Sequence, residues 1–194
     1  MIIQDLFLYF AKFPKREGVK AIATMGASDF NEYATLLTAL DMMPEHSLVP
    51  DIDNYVYGQT VEDLQERLGK LLGSWLMADY GEFTVKDSHG SLEVSQRIAV
   101  TVALKLRNNA DMLERMIASD KALGMLRQVH AHIMADTETG TIDWMTREAL
   151  ADAELVPFVA SELGSYGWTL MLDITAPDML GTHDMMRQFI VHSS

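Results

Sequence analysis

The sequence predicts an α+β fold: a small antiparallel sheet built on a long hairpin plus a C-terminal strand, with helices packed on one face. Two observations favour this class. Apolar residues recur at steps of three and four in several segments, as in amphipathic helices, and alternate with polar residues in others, as in strands with one face in water. Helices on one sheet face would bury every apolar stripe. We expect one domain over residues 1–177, with a helical N-terminal part, and a tail over residues 178–194.

The composition limits the classes of function. With 194 residues and a hydrophobic content of 48%, the chain is long and apolar enough to fold around a core. The absence of cysteine excludes disulfides, thiolate zinc sites and cysteine nucleophiles, and it fits a reducing compartment. With 15 basic against 28 acidic residues and a net charge of −13, the protein is expected to repel nucleic acid and anionic lipid.

The N-terminal segments predict two helices and a long loop. In residues 2–13 the apolar positions fall at i, i+3, i+4 and i+7, and Pro14 ends the pattern; a short strand is the alternative. Asp5 and the lack of a basic region argue against a signal peptide, and no apolar run is long enough to predict a membrane span. Residues 29–42 predict the second helix. Residues 43–59, rich in Pro and Asp, predict a loop long enough to carry a function or to be partly disordered.

The middle of the chain predicts a helix followed by a hairpin. Thr60 can cap a helix over residues 61–78. We expect its apolar stripe to pack on one face of the hairpin, that is, Leu64, Leu68, Leu71 and Trp75 on Val100, Val102 and Leu104. The residues from Ser88 to Ser91 predict a turn. The strand from 92 to 106 has one apolar face, interrupted by Gln96, and is so long that we expect it to bend or to project from the body.

The last third of the chain predicts two helices and a strand. Residues 109–135 predict the first helix, which Ser119–Asp120 can break and recap. Residues 142–163 predict the second helix, interrupted at Pro157. Alternation from Trp168 to Thr175 then predicts a closing strand.

One acidic segment partly matches a calcium-binding loop. Asp51, Asp53 and Glu62 fall at the first, third and twelfth positions of an EF-hand loop. Tyr55 and Val56, however, occupy the positions that require an oxygen ligand and a glycine. We therefore expect no calcium site.

The remaining ionisable groups favour a solvated surface over a site. His132 and Asp136 can share a helix face, but His130 points elsewhere, and two ligands do not hold zinc. Carboxylates alternate with alanines on a predicted helix face that is exposed to water, at Glu148, Asp152 and Glu154. There is no nucleophile elbow, P-loop or dinucleotide-binding motif. We assign no catalytic residue, no metal and no cofactor.

The order of the predicted elements from Thr60 to Thr175 resembles that of phage head–tail connector and tail-completion proteins of the neck. Three stretches carry the resemblance: Glu82–Lys86, Leu92–Leu106 and Gly167–Ile174. The resemblance implies a ring-forming structural protein of the virion, made in the bacterial cytoplasm and without enzymatic activity. The helical segments at the front and around Trp144 depart from the connector pattern and leave the position in the particle open.

Assembly would then use the hairpin and the tail. The contact residues we expect are the hairpin tip, Ser88, His89, Gly90 and Ser91, and the apolar tail positions Met185, Met186, Phe189 and Ile190. Partners would be copies of the chain and other virion proteins, not a membrane or a specific nucleic acid sequence. Two alternatives stay open: a small cytosolic enzyme or ligand-binding domain whose site is assembled from scattered residues, and a regulatory protein whose acidic surface binds a basic partner.

Overall fold

The computed structural model describes residues 2–21, 28–58, 72–88 and 91–176. Its helices are α1 (Ile2–Phe10), α2 (Arg16–Lys20), α3 (Asn31–Met42), α4 (Met112–Glu138) and α5 (Arg147–Ala151). Its strands are β1 (Asn54–Tyr57), β2 (Ser74–Ser88), β3 (Ser91–Lys105), β4 (Glu154–Ala160) and β5 (Ser165–Ala176), with a short 3-10 turn at Ser161–Leu163. The strand order is β1-β2-β3-β5-β4. The α+β class is confirmed, but the sheet is mixed, because β1 joins β2 in parallel while the other pairs are antiparallel.

One face of the sheet carries the main core. The apolar faces of β3 and β5 lie where alternation predicts them, and α4 packs across both strands. The buried side chains of this layer include Ile98, Val100, Val102, Leu170, Leu172 and Ile174 from the strands and Ala122, Leu126, Val129 and Ile133 from α4. The α1 residues Leu6 and Phe10 are buried in the same cluster. The face of β3 that we predicted as apolar is therefore confirmed as the core face.

The long helix α4 begins at a capping box. The Asp111 side chain accepts a hydrogen bond from the Glu114 backbone N–H at 2.8 Å, and Glu114 accepts one from the Asp111 backbone N–H at 3.3 Å. This reciprocal pair satisfies two N–H groups that a helix start leaves unpaired. The helix continues through Ser119 and Asp120 without the predicted break.

The predicted helix over residues 61–78 is wrong at its C-terminal end. Residues from Ser74 onward belong to β2, and Gly73, at φ 82°, precedes the strand in a conformation that favours glycine. The register places Trp75 opposite Ala103, so Trp75 lies on the sheet face opposite the Val102 side chain. It is fully buried there with Val56, Met77 and Phe158. Leu64, Leu68 and Leu71 lie outside the described residues.

The predicted helix over residues 142–163 is also wrong for most of its length. Only Arg147–Ala151 is helical, and Glu154–Ala160 forms β4. Pro157 interrupts a helix but is tolerated in an edge strand, where its missing N–H faces away from the sheet. The predicted loop over residues 43–59 contains the short strand β1, and α2 was not predicted at all.

We predicted that the long strand bends or that the hairpin projects from the body, and among the described residues the extension past the neighbouring strand β5 is short. β3 pairs with β5 from Val94 to Lys105 and with β2 on its other side, so only Ser91 to Glu93 extend beyond the β5 pairing. A bulge in β2 between Asp79 and Glu82 supplies a local irregularity instead. Of the described helices, none is long and apolar enough to cross a membrane.

Candidate assembly surface

Strand β4 forms one edge of the sheet and is unusually exposed. Of the strands in the described part of the chain, only β5 pairs with it. Leu155 is 50% and Val159 62% exposed, and the register puts both on the face that α4 covers elsewhere, beside Leu170 and Tyr166. A strand edge with open backbone groups and apolar side chains is a template for pairing with another chain. Pro157 removes one donor at the centre of this edge.

The first turns of α4 extend the apolar surface beside β4. Met112 is 78% and Met116 59% exposed, whereas the buried residues of α4 begin at Ala118. The start of the helix lies over the start of β5, because the Arg115 guanidinium lies 5.3 Å from the Tyr166 ring centroid. One turn later, Trp168 Nε1 donates to the Ser119 hydroxyl at 3.0 Å.

Two residues of β5 lie between the start of α4 and β4. Tyr166 and Trp168 pair in the sheet with Val159 and Pro157 of β4. We call the surface formed by Met112, Met116, Leu155, Pro157 and Val159 the β4 shelf. Contiguous exposed apolar residues of this kind mark interaction sites more often than isolated ones.

A second open edge lies on the other side of the sheet. β1 pairs only with Trp75–Ala78 of β2, and no other described strand lies along the outer side of β2 from Glu82 to Ser88. Phe83 and Val85 are exposed on this segment. They face the same side of the sheet as Gln96 and Val94, with which they pair. Among the strands that the structure describes, the sheet therefore has two unlike edges without a further partner, at opposite sides.

The acidic residues that the structure describes in this segment make structural contacts. The Asp53 carboxylate forms an ion pair with Lys15 at 2.6 Å. It also accepts hydrogen bonds from the backbone N–H of Ser74 at 3.1 Å and from the Ser74 hydroxyl at 3.0 Å. Partial burial opposes ionisation of Asp53, but the bonds from Lys15 and Ser74 outweigh it and hold the pKa below its usual value. The Asp51 carbonyl lies 2.5 Å from the same Ser74 hydroxyl and shares the single hydroxyl proton with Asp53. Glu62 lies outside the described residues.

His130 and His132 of α4 have different surroundings, as their spacing predicts. His130 lines a cleft beside α5, while the His132 ring lies 5.9 Å from the Phe13 ring. Asp136 accepts a hydrogen bond from the Tyr9 hydroxyl at 2.8 Å and so ties α4 to α1. Within the described ranges no three histidine or acidic side chains are placed to hold a metal ion.

The three carboxylates that we placed on one helix face are split by the fold. Glu148 lies in α5, Asp152 follows it, and Glu154 opens β4. Glu154 pairs with Arg97 of β3 at 3.3 Å on the sheet face away from α4, where Arg97 also lies 3.8 Å from Asp173. This geometry gives no acid–base pair.

The structure describes only some of the residues predicted for assembly. Ser88 and Ser91 pair with each other at the end of the hairpin. His89, Gly90 and the tail positions Met185, Met186, Phe189 and Ile190 lie outside the described residues, so these contacts stay predictions. The strand β4 was missed, although a signal for it existed: the apolar run from Leu155 to Val159 suits a strand better than a solvated helix.

Comparison of the chain with protein-family models, with curated proteins and with solved structures gives no match.

Proposed function

We propose that the protein is a non-enzymatic structural protein that assembles with copies of itself, and that it is a component of the neck or tail of a phage particle. The observation that carries the self-assembly is the pair of unlike open edges, β4 and the outer side of β2 from Glu82 to Ser88. Two different edges on one subunit suit a head-to-tail contact, in which each copy offers one edge to one neighbour and the other edge to the next. Such contacts repeat into rings when the rotation closes.

The position of the edges along the strands adds detail. β4 is level with the start of β2, since Val156, Thr169, Thr101 and Met77 form one row across the sheet. The open part of β2 lies further along the strand direction. Neighbouring copies joined through these edges would therefore be offset along the strands. The exposed apolar residues at both edges, Leu155 and Val159 on β4 and Phe83 and Val85 on β2, would be covered.

The phage assignment rests on the order of elements and on charge. A long hairpin, a long helix and a closing strand follow one another here as β2–β3, α4 and β5, with the further strand β4 inserted. A net charge of −13 suits a ring that conducts DNA, because few Lys and Arg residues are present to bind the phosphates in passing.

Cysteine cross-linking tests the head-to-tail contact, and the cysteine-free chain makes every introduced thiol unique. We expect a mixture of the Leu155→Cys and Val85→Cys variants to form cross-linked dimers with a short bis-maleimide at about 100 µM protein. Each variant alone should not. Ala34→Cys, exposed on α3, is the control for random collision. Self-links of either variant, or yields no greater than with Ala34→Cys, would contradict the contact.

A separate experiment tests the phage assignment. Quantitative mass spectrometry of particles purified from a strain that carries this gene should find the chain in several copies per particle. If the chain is absent from intact particles yet cross-links as described, the virion assignment is wrong and the self-assembly is retained.

A further inference from the structure

A cleft of about 290 Å³ lies between the end of α1 and the loop that follows α3. Its walls are fixed to each other by backbone hydrogen bonds. The Leu48 N–H donates to the Lys12 carbonyl at 2.9 Å, and the Val49 N–H donates to the Phe13 carbonyl at 3.0 Å. The loop belongs to the segment whose length predicts either a function or disorder. The cleft is thus a preformed feature and independent of the assembly edges.

Arg16 lines the cleft, and its guanidinium forms no ion pair with another described residue. The Nη1 and Nη2 atoms of Arg16 are buried and have no hydrogen-bond partner within the described residues. The neighbouring lysines, in contrast, have acidic partners: Lys15 is paired with Asp53 at 2.6 Å, and Lys20 lies 3.9 Å from Asp41. Burying an unpaired charged group is costly, so an acceptor is expected in the cleft.

The other residues that line the cleft indicate the chemical class of this acceptor. Lys12 and His46 lie on the wall with Arg16, and Glu45 is the one acidic residue of the lining. Apolar surface is supplied by Pro14, Met43 and Leu48. A guanidinium presents parallel N–H groups that match two oxygens of one anion.

We propose that this cleft binds a small organic anion through Arg16, with a carboxylate or phosphate group on the guanidinium and an apolar part against Met43 and Leu48. A carboxylate and a phosphate group would both bind the guanidinium through two oxygens. A volume of about 290 Å³ is sufficient for a single ring with its acidic group.

The test titrates the full chain with sodium benzoate and, separately, with inorganic phosphate, at fixed ionic strength. Backbone amide NMR shifts report binding, and melting temperature reports stabilisation. We expect saturable shifts at residues 43–48 with a dissociation constant of about 0.1–10 mM, and a loss of at least about tenfold in Arg16→Gln. Lys20→Gln removes the same charge from the same helix outside the lining and should bind as the wild type does.

The results distinguish a carboxylate ligand from a phosphate ligand, and they also show whether the proposal is wrong. Tighter binding of benzoate assigns the site to carboxylates, and tighter binding of phosphate assigns it to phosphate esters. Without ligand, Arg16→Gln should melt at the same temperature as the wild type or higher, because an unpaired buried charge is removed. No saturable binding of either probe up to about 50 mM, equal binding by Arg16→Gln, or a lower melting temperature of ligand-free Arg16→Gln would overturn the proposal.

Discussion

At the scale of single residues, a small polar network fixes where the sheet begins. Ser74 is nearly fully buried, and its hydroxyl lies between the Asp53 carboxylate and the Asp51 carbonyl. Gly73 beside it has no room for a side chain, since an added Cβ would lie 2.3 Å from an Asp53 carboxylate oxygen. The network therefore joins the start of β1 to the start of β2 through close contacts that no sequence period reveals.

Removing the Ser74 hydroxyl tests this network. We expect Ser74→Ala to lower the free energy of unfolding by about 1–3 kcal/mol, because it leaves the Asp53 carboxylate with fewer donors in a partly buried place. Urea denaturation followed by tryptophan fluorescence measures the change. Ser161→Ala, at an exposed position, is the control and should change the stability by less than about 0.5 kcal/mol. Equal losses in both variants would show that the network adds no stability.

At the scale of elements, the periodic pattern predicts an element well when only one of its faces is buried. α4, β3 and β5 satisfy this condition along most of their length. The pattern fails at the start of β2, where Trp75 and Leu76 are buried on opposite faces and the run of apolar residues has no period. It fails again at β4, where neither face is deeply buried and alternation carries no signal. The β4 shelf could not be predicted because it depends on which strand becomes the edge.

Two leucines of α4 give a matched test of packing. Leu126 is fully buried against the sheet, whereas Leu113 is 58% exposed on the same helix. We expect Leu126→Ala to cost about 2–5 kcal/mol of unfolding free energy and Leu113→Ala less than about 0.5 kcal/mol. Chemical denaturation of both variants side by side measures the difference. Similar costs would mean that the start of α4 is covered in the isolated chain.

Three tyrosines attach α1 to the rest of the fold. Tyr9 donates to Asp136, while the Tyr55 and Tyr57 hydroxyls donate to the Phe7 and Ile3 carbonyls at 2.9 and 2.5 Å. Burial raises the pKa of all three phenols, and for Tyr9 the bond to Asp136 raises the pKa further.

This attachment predicts a loss of stability in alkaline solution. A raised pKa means that the neutral phenol is favoured in the folded state, so its contribution is complete below about pH 10, where an unfolded tyrosine ionises, and declines as the pH rises beyond that. Unfolding free energies measured from about pH 8 to 11 should fall at the upper end. The unfolding free energy of Tyr57→Phe should be lower than that of the wild type at about pH 8, and it should fall less steeply as the pH rises. A stability independent of pH over this range would contradict the attachment.

At the scale of the whole molecule, charge and apolar edges act in opposite directions. A net charge of −13 makes copies repel one another, whereas in the proposed assembly the β4 shelf and the open part of β2 would favour association. Salt separates the two effects. Raising the ionic strength from about 0.1 M to 1 M shortens the screening length from about 10 Å to about 3 Å and leaves apolar burial intact.

We therefore expect self-association to increase with salt, as measured by sedimentation velocity at fixed protein concentration. A double variant, Leu155→Lys with Val159→Lys, should stay monomeric at both salt concentrations, because charges on an edge strand oppose pairing. The control, Ala34→Lys with Thr38→Lys, adds the same charge on exposed positions of α3 and should associate like the wild type. Duplex DNA should not bind to the protein at either salt concentration. Association that weakens with salt would mean that ion pairs, not the apolar edges, join the subunits, and head-to-tail pairing of the sheet would then be the wrong account of how the copies meet.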